Sequence, residues 1–150
     1  MRLAGAAAAV RAARERLGGE AIEPALADAF WAGLRDQTDE FFAGATAALG
    51  DGATLWRLSL PQTAAPLALA GDTLIEWGGA QRWLCSVEPA PRVREAAARA
   101  GGHATLFRGR DKSAGVFAPL APPLARIHRE LKRAFDPERI FNPGRLYPDL

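Results

Sequence analysis

The chain has 150 residues, of which 49% are hydrophobic, and its formal net charge is +2. That length supports one domain with a real core and excludes a complete multi-domain oxidoreductase. Seventeen of its nineteen cationic side chains are Arg, scattered rather than gathered into a stripe with interleaved aromatics, so no nucleic-acid partner is expected. Cys85 is the single cysteine, which excludes a disulfide framework and a Cys-rich metal site and fits a reducing compartment.

Arg2 followed by an apolar run from Leu3 to Val10 looks superficially like a signal peptide, but Arg11, Arg14 and Arg16 interrupt it. Leu3, Ala6, Ala7, Val10, Arg14 and Leu17 recur at helical spacing, and Gly18-Gly19 supplies a stop. No apolar run approaches the roughly twenty residues of a membrane span, so direct membrane insertion is not expected.

Glu20 to Ile22 reads as a short strand. Pro24 then opens a second helix, with Leu26, Ala27, Phe30, Trp31 and Leu34 on one face. Asp36 to Glu40 is a polar break. Phe41 and Phe42 begin an Ala-rich stretch whose glycines leave it unassigned before a turn at Asp51-Gly52.

Alternation from Leu55 to Leu60 predicts a strand that ends at Pro61, and a loop follows to Ala70. Thr73 to Trp77 and Ala80 to Cys85 are β-prone runs on either side of Gly78-Gly79, the signature of a hairpin closed by a two-residue turn. Val93, Ala96, Ala97 and Ala100 mark a helix closed by Gly101-Gly102, and His103 to Arg108 reads as a fourth strand. Pro122-Pro123 opens the clearest helix, in which Leu124, Ile127, His128, Leu131 and Phe135 share a face. Asp136-Pro137 ends it. The remaining tail is rich in turn formers yet keeps Ile140, Phe141, Leu146 and Tyr147, so it is expected to dock.

Three stretches carry a family signal: Leu74 to Leu84 (LIEWGGAQRWL), Ala100 to Arg108 (AGGHATLFR), and Phe135 to Arg145 with its Phe-Asn-Pro-Gly-Arg ending. In this order and spacing they resemble the C-terminal domain of FAD-linked oxidases of the vanillyl-alcohol oxidase type, in particular the glycolate oxidase flavoproteins. The resemblance implies an α+β fold: a ferredoxin-like cap with an antiparallel sheet and helices on one face, here with extra N-terminal helices and a C-terminal tail. It also implies a single, partial cap domain over residues 1–150, whose N-terminal FAD-binding domain is absent, as in a truncated or split gene or one with a misplaced start. No glycine-rich phosphate loop is present to replace that domain.

From the resemblance, FAD is expected to be bound mainly by the absent domain, with Asn142, Pro143 and Gly144 near the flavin ring. The same Asn-Pro-Gly sequence is also a good turn after a helix stop. Arg108 and Arg145 are the leading candidates for a substrate carboxylate clamp, ahead of Arg57 and Arg82, since a guanidinium fork pairs bidentately with a short 2-hydroxyacid such as glycolate. His103 invites the role of proton acceptor but has no carboxylate neighbour in sequence, and His128 lies on an apolar helix face, so both read as structural and no catalytic residue is assigned. No metal-ligand spacing is present. Trp77 and Trp83 read as core or interface anchors.

The expected role is therefore part of a cytoplasmic glycolate oxidase-like complex, held at the inner membrane through flavoprotein and iron-sulfur partner subunits. The alternative is a non-catalytic assembly element that docks on those subunits.

Overall fold

The computed structural model describes residues 2–150. The chain divides into two compact units, one ending at Asp39 and the other spanning Glu40–Leu150.

The first unit holds two helices, α1 (Ala7–Leu17) and α2 (Pro24–Asp36). Pro24 occupies the first turn of α2, where its missing N–H is not needed, and the Glu23 carboxylate accepts from the Leu26 N–H at 3.0 Å to cap the end. Helix α1 ends at Gly18, whose φ of 67° and N–H bond to the Arg14 carbonyl close the last turn. The strand expected at Glu20 to Ile22 does not form: the segment is irregular and exposed, with no partner to complete a ladder.

The second unit is an α+β domain built on a four-stranded antiparallel sheet of β1 (Thr54–Ser59), β2 (Asp72–Glu76), β3 (Gln81–Ser86) and β4 (His103–Arg108), in the order β2-β3-β1-β4. Both β1-β3 and β1-β4 are antiparallel, so β3 and β4 run parallel with β1 between them. They are joined by α4 (Ala90–Arg99), which makes a split βαβ unit of the ferredoxin-like kind. The matching crossover from β1 to β2 carries no helix. Residues 61–71 make this connection as a loop, and Ala64, Leu67 and Leu69 lay their side chains on the same sheet face as α4.

That face is the main core. Trp56, Leu58, Leu60, Leu84, Ala104 and Leu106 pack there with Val93 and Ala97 of α4. A further helix, α3 (Glu40–Ala48), which contains Phe41 and Phe42, packs Phe42 and Ala45 against Leu55, Trp83 and Cys85 on the opposite face. Two adjacent aromatics explain this. Phe42 meets Trp83 edge-on at 5.1 Å and Phe41 at 5.2 Å, which gives a nine-residue helix an anchor that its composition does not advertise.

The hairpin forms as expected, but its connection is Trp77 to Ala80, a 3-10 turn with positive φ at Trp77 (52°), Gly78 (61°) and Gly79 (97°). The longer turn is fixed by the Glu76↔Gln81 register. It leaves Trp77 75% exposed, whereas Trp83 is in the core.

Helix α5 (Pro122–Phe135) has the expected bounds, yet its apolar stripe is uncovered by its own chain. Leu124, Ile127 and Leu131 are each about half exposed and Phe135 is 82% exposed. Among the described residues, no helix is long and apolar enough to cross a membrane.

Candidate functional site

The C-terminal tail is organised by one carboxylate. Asp136, buried at the end of α5, accepts from the backbone N–H groups of Ile140 (2.9 Å) and Phe141 (3.0 Å) and from Lys132 Nζ (2.5 Å), and Lys132 also donates to the Phe141 carbonyl. The Lys132 ammonium holds this carboxyl below the usual carboxylate range, partly opposed by burial and reinforced by the two amides. In the sequence alone Asp136 reads only as a helix stop. An Asp-Pro after a helix gives no sign that the carboxylate folds back on the next turn.

From that anchor the chain reaches Asn142, which is exposed with φ of 45°. The Arg145 N–H donates to the Asn142 carbonyl at 3.2 Å, with Pro143 and Gly144 (φ 68°) in the two central positions, the residue pattern of a type II turn. The Gly144 N–H donates to the Leu150 carbonyl at 2.5 Å. Tyr147 then packs edge-on to His128 at 6.4 Å, lies 6.0 Å from Phe117 and donates its hydroxyl to the Ala118 carbonyl. Thus the tail docks, as its apolar residues implied, although Ile140, Phe141 and Leu146 stay more than half exposed.

Between α5 and the tail lies a cleft of about 310 Å³ lined by Arg129, Lys132, Arg133 and Arg139 together with Asp136 and Asp149. Its cations are satisfied by the chain itself. Arg129 pairs with Asp149, Lys132 with Asp136, Arg133 with Glu130, and Arg139 donates to the Asp149 carbonyl. The cleft is tail docking rather than a ready anion site.

The arginine candidates separate sharply. Arg82 is 5% exposed, and its fork donates to the Ala65 carbonyl at 2.8 Å, the Ala64 carbonyl, and the Gly79 carbonyl at 3.2 Å. It fastens the 61–71 loop and is not available to a substrate. Arg108 is half-buried at the end of β4 with its guanidinium 5.4 Å from the Phe107 ring centre, while Arg145 is exposed in the tail turn. These two stand on different elements, and the tail contacts described above run to α5 and the segment before it rather than to β4.

Arg57 has different surroundings. It lies on the central strand β1, on the α3 face, but beyond the reach of α3, which covers Leu55, Trp83 and Cys85. Pairing sets Arg57 opposite Trp83 on β3 and Thr105 on β4, and sets Ser59 opposite Gln81 and His103. Leu58 and Ala104 point into the α4-face core, so Arg57, Ser59, His103 and Thr105 share the other face. The outer corner is ordered by Glu76, whose Oε1 accepts both Trp83 Nε1–H and Gln81 Nε2–H at 2.6 Å. Arg57, Ser59 and His103 are exposed, and the Arg57 guanidinium has no hydrogen-bond or ion-pair partner among the described residues. The alternation from Leu55 to Leu60 placed Arg57 and Ser59 on one face; only the strand pairing brings His103 beside them.

The glycines settle which turns serve the chain itself. A Cβ on Gly79 would stand 2.8 Å from the Gln62 carbonyl oxygen, and one on Gly102 would stand 2.0 Å from that of Ser59. Both are close backbone approaches within the fold. At Gly144 the nearest atom to such a Cβ is the Pro148 oxygen at 3.9 Å, so the tail turn presents an open surface.

Residues 91–146 match the family described as FAD linked oxidases, C-terminal domain. Over all 150 residues the chain is 46% identical to a protein of Escherichia coli (strain K12) named glycolate oxidase subunit GlcE, and it spans 39% of that relative's length. No solved structure matches the chain.

Proposed function

We propose that this chain, which is similar over residues 91–146 to the C-terminal domain of FAD linked oxidases, is a cap in a flavin-dependent oxidase acting on glycolate or another short 2-hydroxyacid. The observation that carries this reading is the 46% identity along the entire chain to a glycolate oxidase subunit. The chain is read as a single cap domain, working with a flavin-binding segment, other flavoprotein subunits and an iron-sulfur subunit. Its setting is then cytoplasmic, reaching the inner membrane through those partners.

The residues here fit an edge contact with FAD and not its principal binding. Glycines such as Gly79 and Gly102 are filled by the chain's own backbone, so they offer no cradle for a pyrophosphate. The exposed Asn142-Pro143-Gly144 turn is different. Its proposed role is to meet the isoalloxazine edge, with the Asn142 amide as hydrogen-bonding group and the Pro143-Gly144 geometry holding it still. When bound, the flavin supplies the hydride acceptor. Arg108 and Arg145 are proposed as cations that meet the substrate carboxylate.

A second reading has a specific observation behind it. The half-exposed α5 stripe and the exposed Phe135 favour an assembly element that docks on partner subunits without taking part in chemistry.

Complementation separates the two. The purified chain, mixed with the separately produced flavin-binding segment of such an oxidase, is expected to raise FAD retention and restore glycolate-dependent dye reduction. Partner binding without gain in flavin retention or turnover refutes the oxidase-cap reading and leaves the assembly element.

A further inference from the structure

We propose that the cavity beneath the 61–71 loop is a binding site for a short aliphatic monocarboxylate, held by the Arg82 guanidinium inside apolar walls. The site goes beyond the oxidase reading and does not rest on it, because it lies on the α4 face of the sheet and needs no flavin.

The cavity measures about 140 Å³ and lies between the loop and the sheet edge formed by β2 and β3. Leu58 and Leu84 form its floor, Leu67 and Leu69 its roof, and the exposed Thr73 and Ile75 of β2 its rim. A cavity of about this size lined only by aliphatic groups stays dry and takes a ligand as large as benzene. This one differs in a single respect: Arg82, 5% exposed, is among its walls.

A guanidinium has five N–H donors and carries its charge into any protein environment. Arg82 places three of them on the Gly79, Ala64 and Ala65 carbonyls, which keeps it from a substrate on the other face and leaves two N–H groups uncommitted. Carbonyls are dipoles, so the charge itself has no counterion, and a buried charge is normally paired. No carboxylate of the chain is placed to supply one. Thr73↔Leu84 and Ile75↔Arg82 pairing sets those residues of β2 on the cavity's face and its two acids, Asp72 and Glu76, on the other. There Glu76 is bonded to Trp83 and Gln81. Glu88, just beyond β3, pairs with Arg92. The counterion therefore comes from outside, and the walls select what it carries: an aliphatic tail that brings the acid to roughly four to six carbons.

The position gives such a ligand a mechanical effect. Arg82 already fastens the loop, so a carboxylate on its remaining donors and a tail against Leu67 and Leu69 tighten the same strap.

The test titrates the full chain with pentanoate, using pentan-1-ol as the neutral chain of equal length and acetate as the anion without a tail. At about tenfold excess over its dissociation constant, pentanoate is expected to raise the melting temperature by about 3–6 °C and to slow proteolysis between Pro61 and Gly71 about tenfold. It is also expected to shift the methyl NMR signals of Leu67, Leu69 and Leu84. Acetate and pentan-1-ol are expected to do none of this at the same concentration. Ile75→Trp, which closes the rim from an exposed position, is expected to abolish the response while melting within about 2 °C of the wild type. Arg82→Met is expected to lose the response to pentanoate and gain one to pentan-1-ol, which separates loss of the anchor from loss of the fold.

An equal response to pentan-1-ol in the wild type, shifts confined to the α5–tail cleft, or no response at all overturns the site. So does a pentanoate response that survives Arg82→Met. None of these outcomes bears on the oxidase-cap reading, which the complementation decides.

Discussion

Arg82→Met is the most direct test of how this domain replaces a crossover helix with a loop. Arg82 is 5% exposed on β3 and gives three donors to backbone carbonyls, two of them, Ala64 and Ala65, in the loop between β1 and β2. Methionine keeps most of the stem volume and its packing near Leu58, Leu67 and Leu84 but removes the fork. A hydrogen bond to a charged donor contributes about 1.5–3 kcal/mol, and three that share one group do not add fully. The loss of buried charge desolvation offsets part of it. A net cost of about 2–4 kcal/mol follows, which for a chain of this size lowers the melting temperature by about 4–16 °C. Circular dichroism melts give the midpoint, and limited proteolysis reports the loop. Cleavage between Pro61 and Gly71 is expected to accelerate before the sheet unfolds. A variant that melts within about 2 °C of the wild type with no faster cleavage refutes the assignment of Arg82 as the fastener. Arg82→Lys, with a single ammonium in place of the fork, is expected to fall between the two.

Gly102→Ala puts a methyl group 2.0 Å from the Ser59 carbonyl oxygen and 2.8 Å from Leu60, so β4 must shift against β1; a loss of at least about 2 kcal/mol in urea unfolding is expected. The Asp136 carboxyl is held below its ordinary range in the folded chain, so its contribution to stability is present above the unfolded value of about 3.9 and is lost as pH falls through the lower folded value. Acid titration followed at Tyr147 is therefore expected to show the tail loosening in that acid window in the wild type, and Asp136→Asn is expected to loosen the tail already at neutral pH and to erase the transition. Leu131→Ser on α5 is expected to change stability by less than about 0.5 kcal/mol, because the side chain is half exposed; a larger loss in the melt would mean that the stripe belongs to this chain's own core.

Local signals were enough for much of the fold. Pro24, Pro122 and the glycine pairs fix helix ends and turns through backbone sterics, which act within a few residues and so are legible in a linear sequence. Period-two alternation from Leu55 to Leu60 and the run from His103 gave two strands for the same reason, and α5 kept its bounds. The order of strand, hairpin, helix, strand and helix gave the α+β class, and the three family stretches gave the flavin-oxidase reading, because ordered motifs at fixed spacing record a whole domain.

Other features were decided by long-range packing. Glu20 to Ile22 has strand-like composition but no neighbour to pair with. The Gly78-Gly79 turn takes in Trp77 and Ala80 because the Glu76↔Gln81 register, not the glycines, sets its length. Helix α3 exists through Phe42 on Trp83, a contact between residues 41 positions apart.

The same division runs through the candidate site. The sequence by itself determined that Arg57, Arg82, Arg108 and Arg145 were cations able to take a carboxylate, and that Asn142 stood in a turn. Only the tertiary structure decided which of the four was already engaged and which remained open. Arg82 is held by loop carbonyls 17 and 18 residues away, whereas Arg57 in mid-sheet has no partner among the described residues, and the β1-β4 register brings His103 beside it. A side chain's availability depends on partners that strand pairing brings in from distant positions, and that information is carried by the fold.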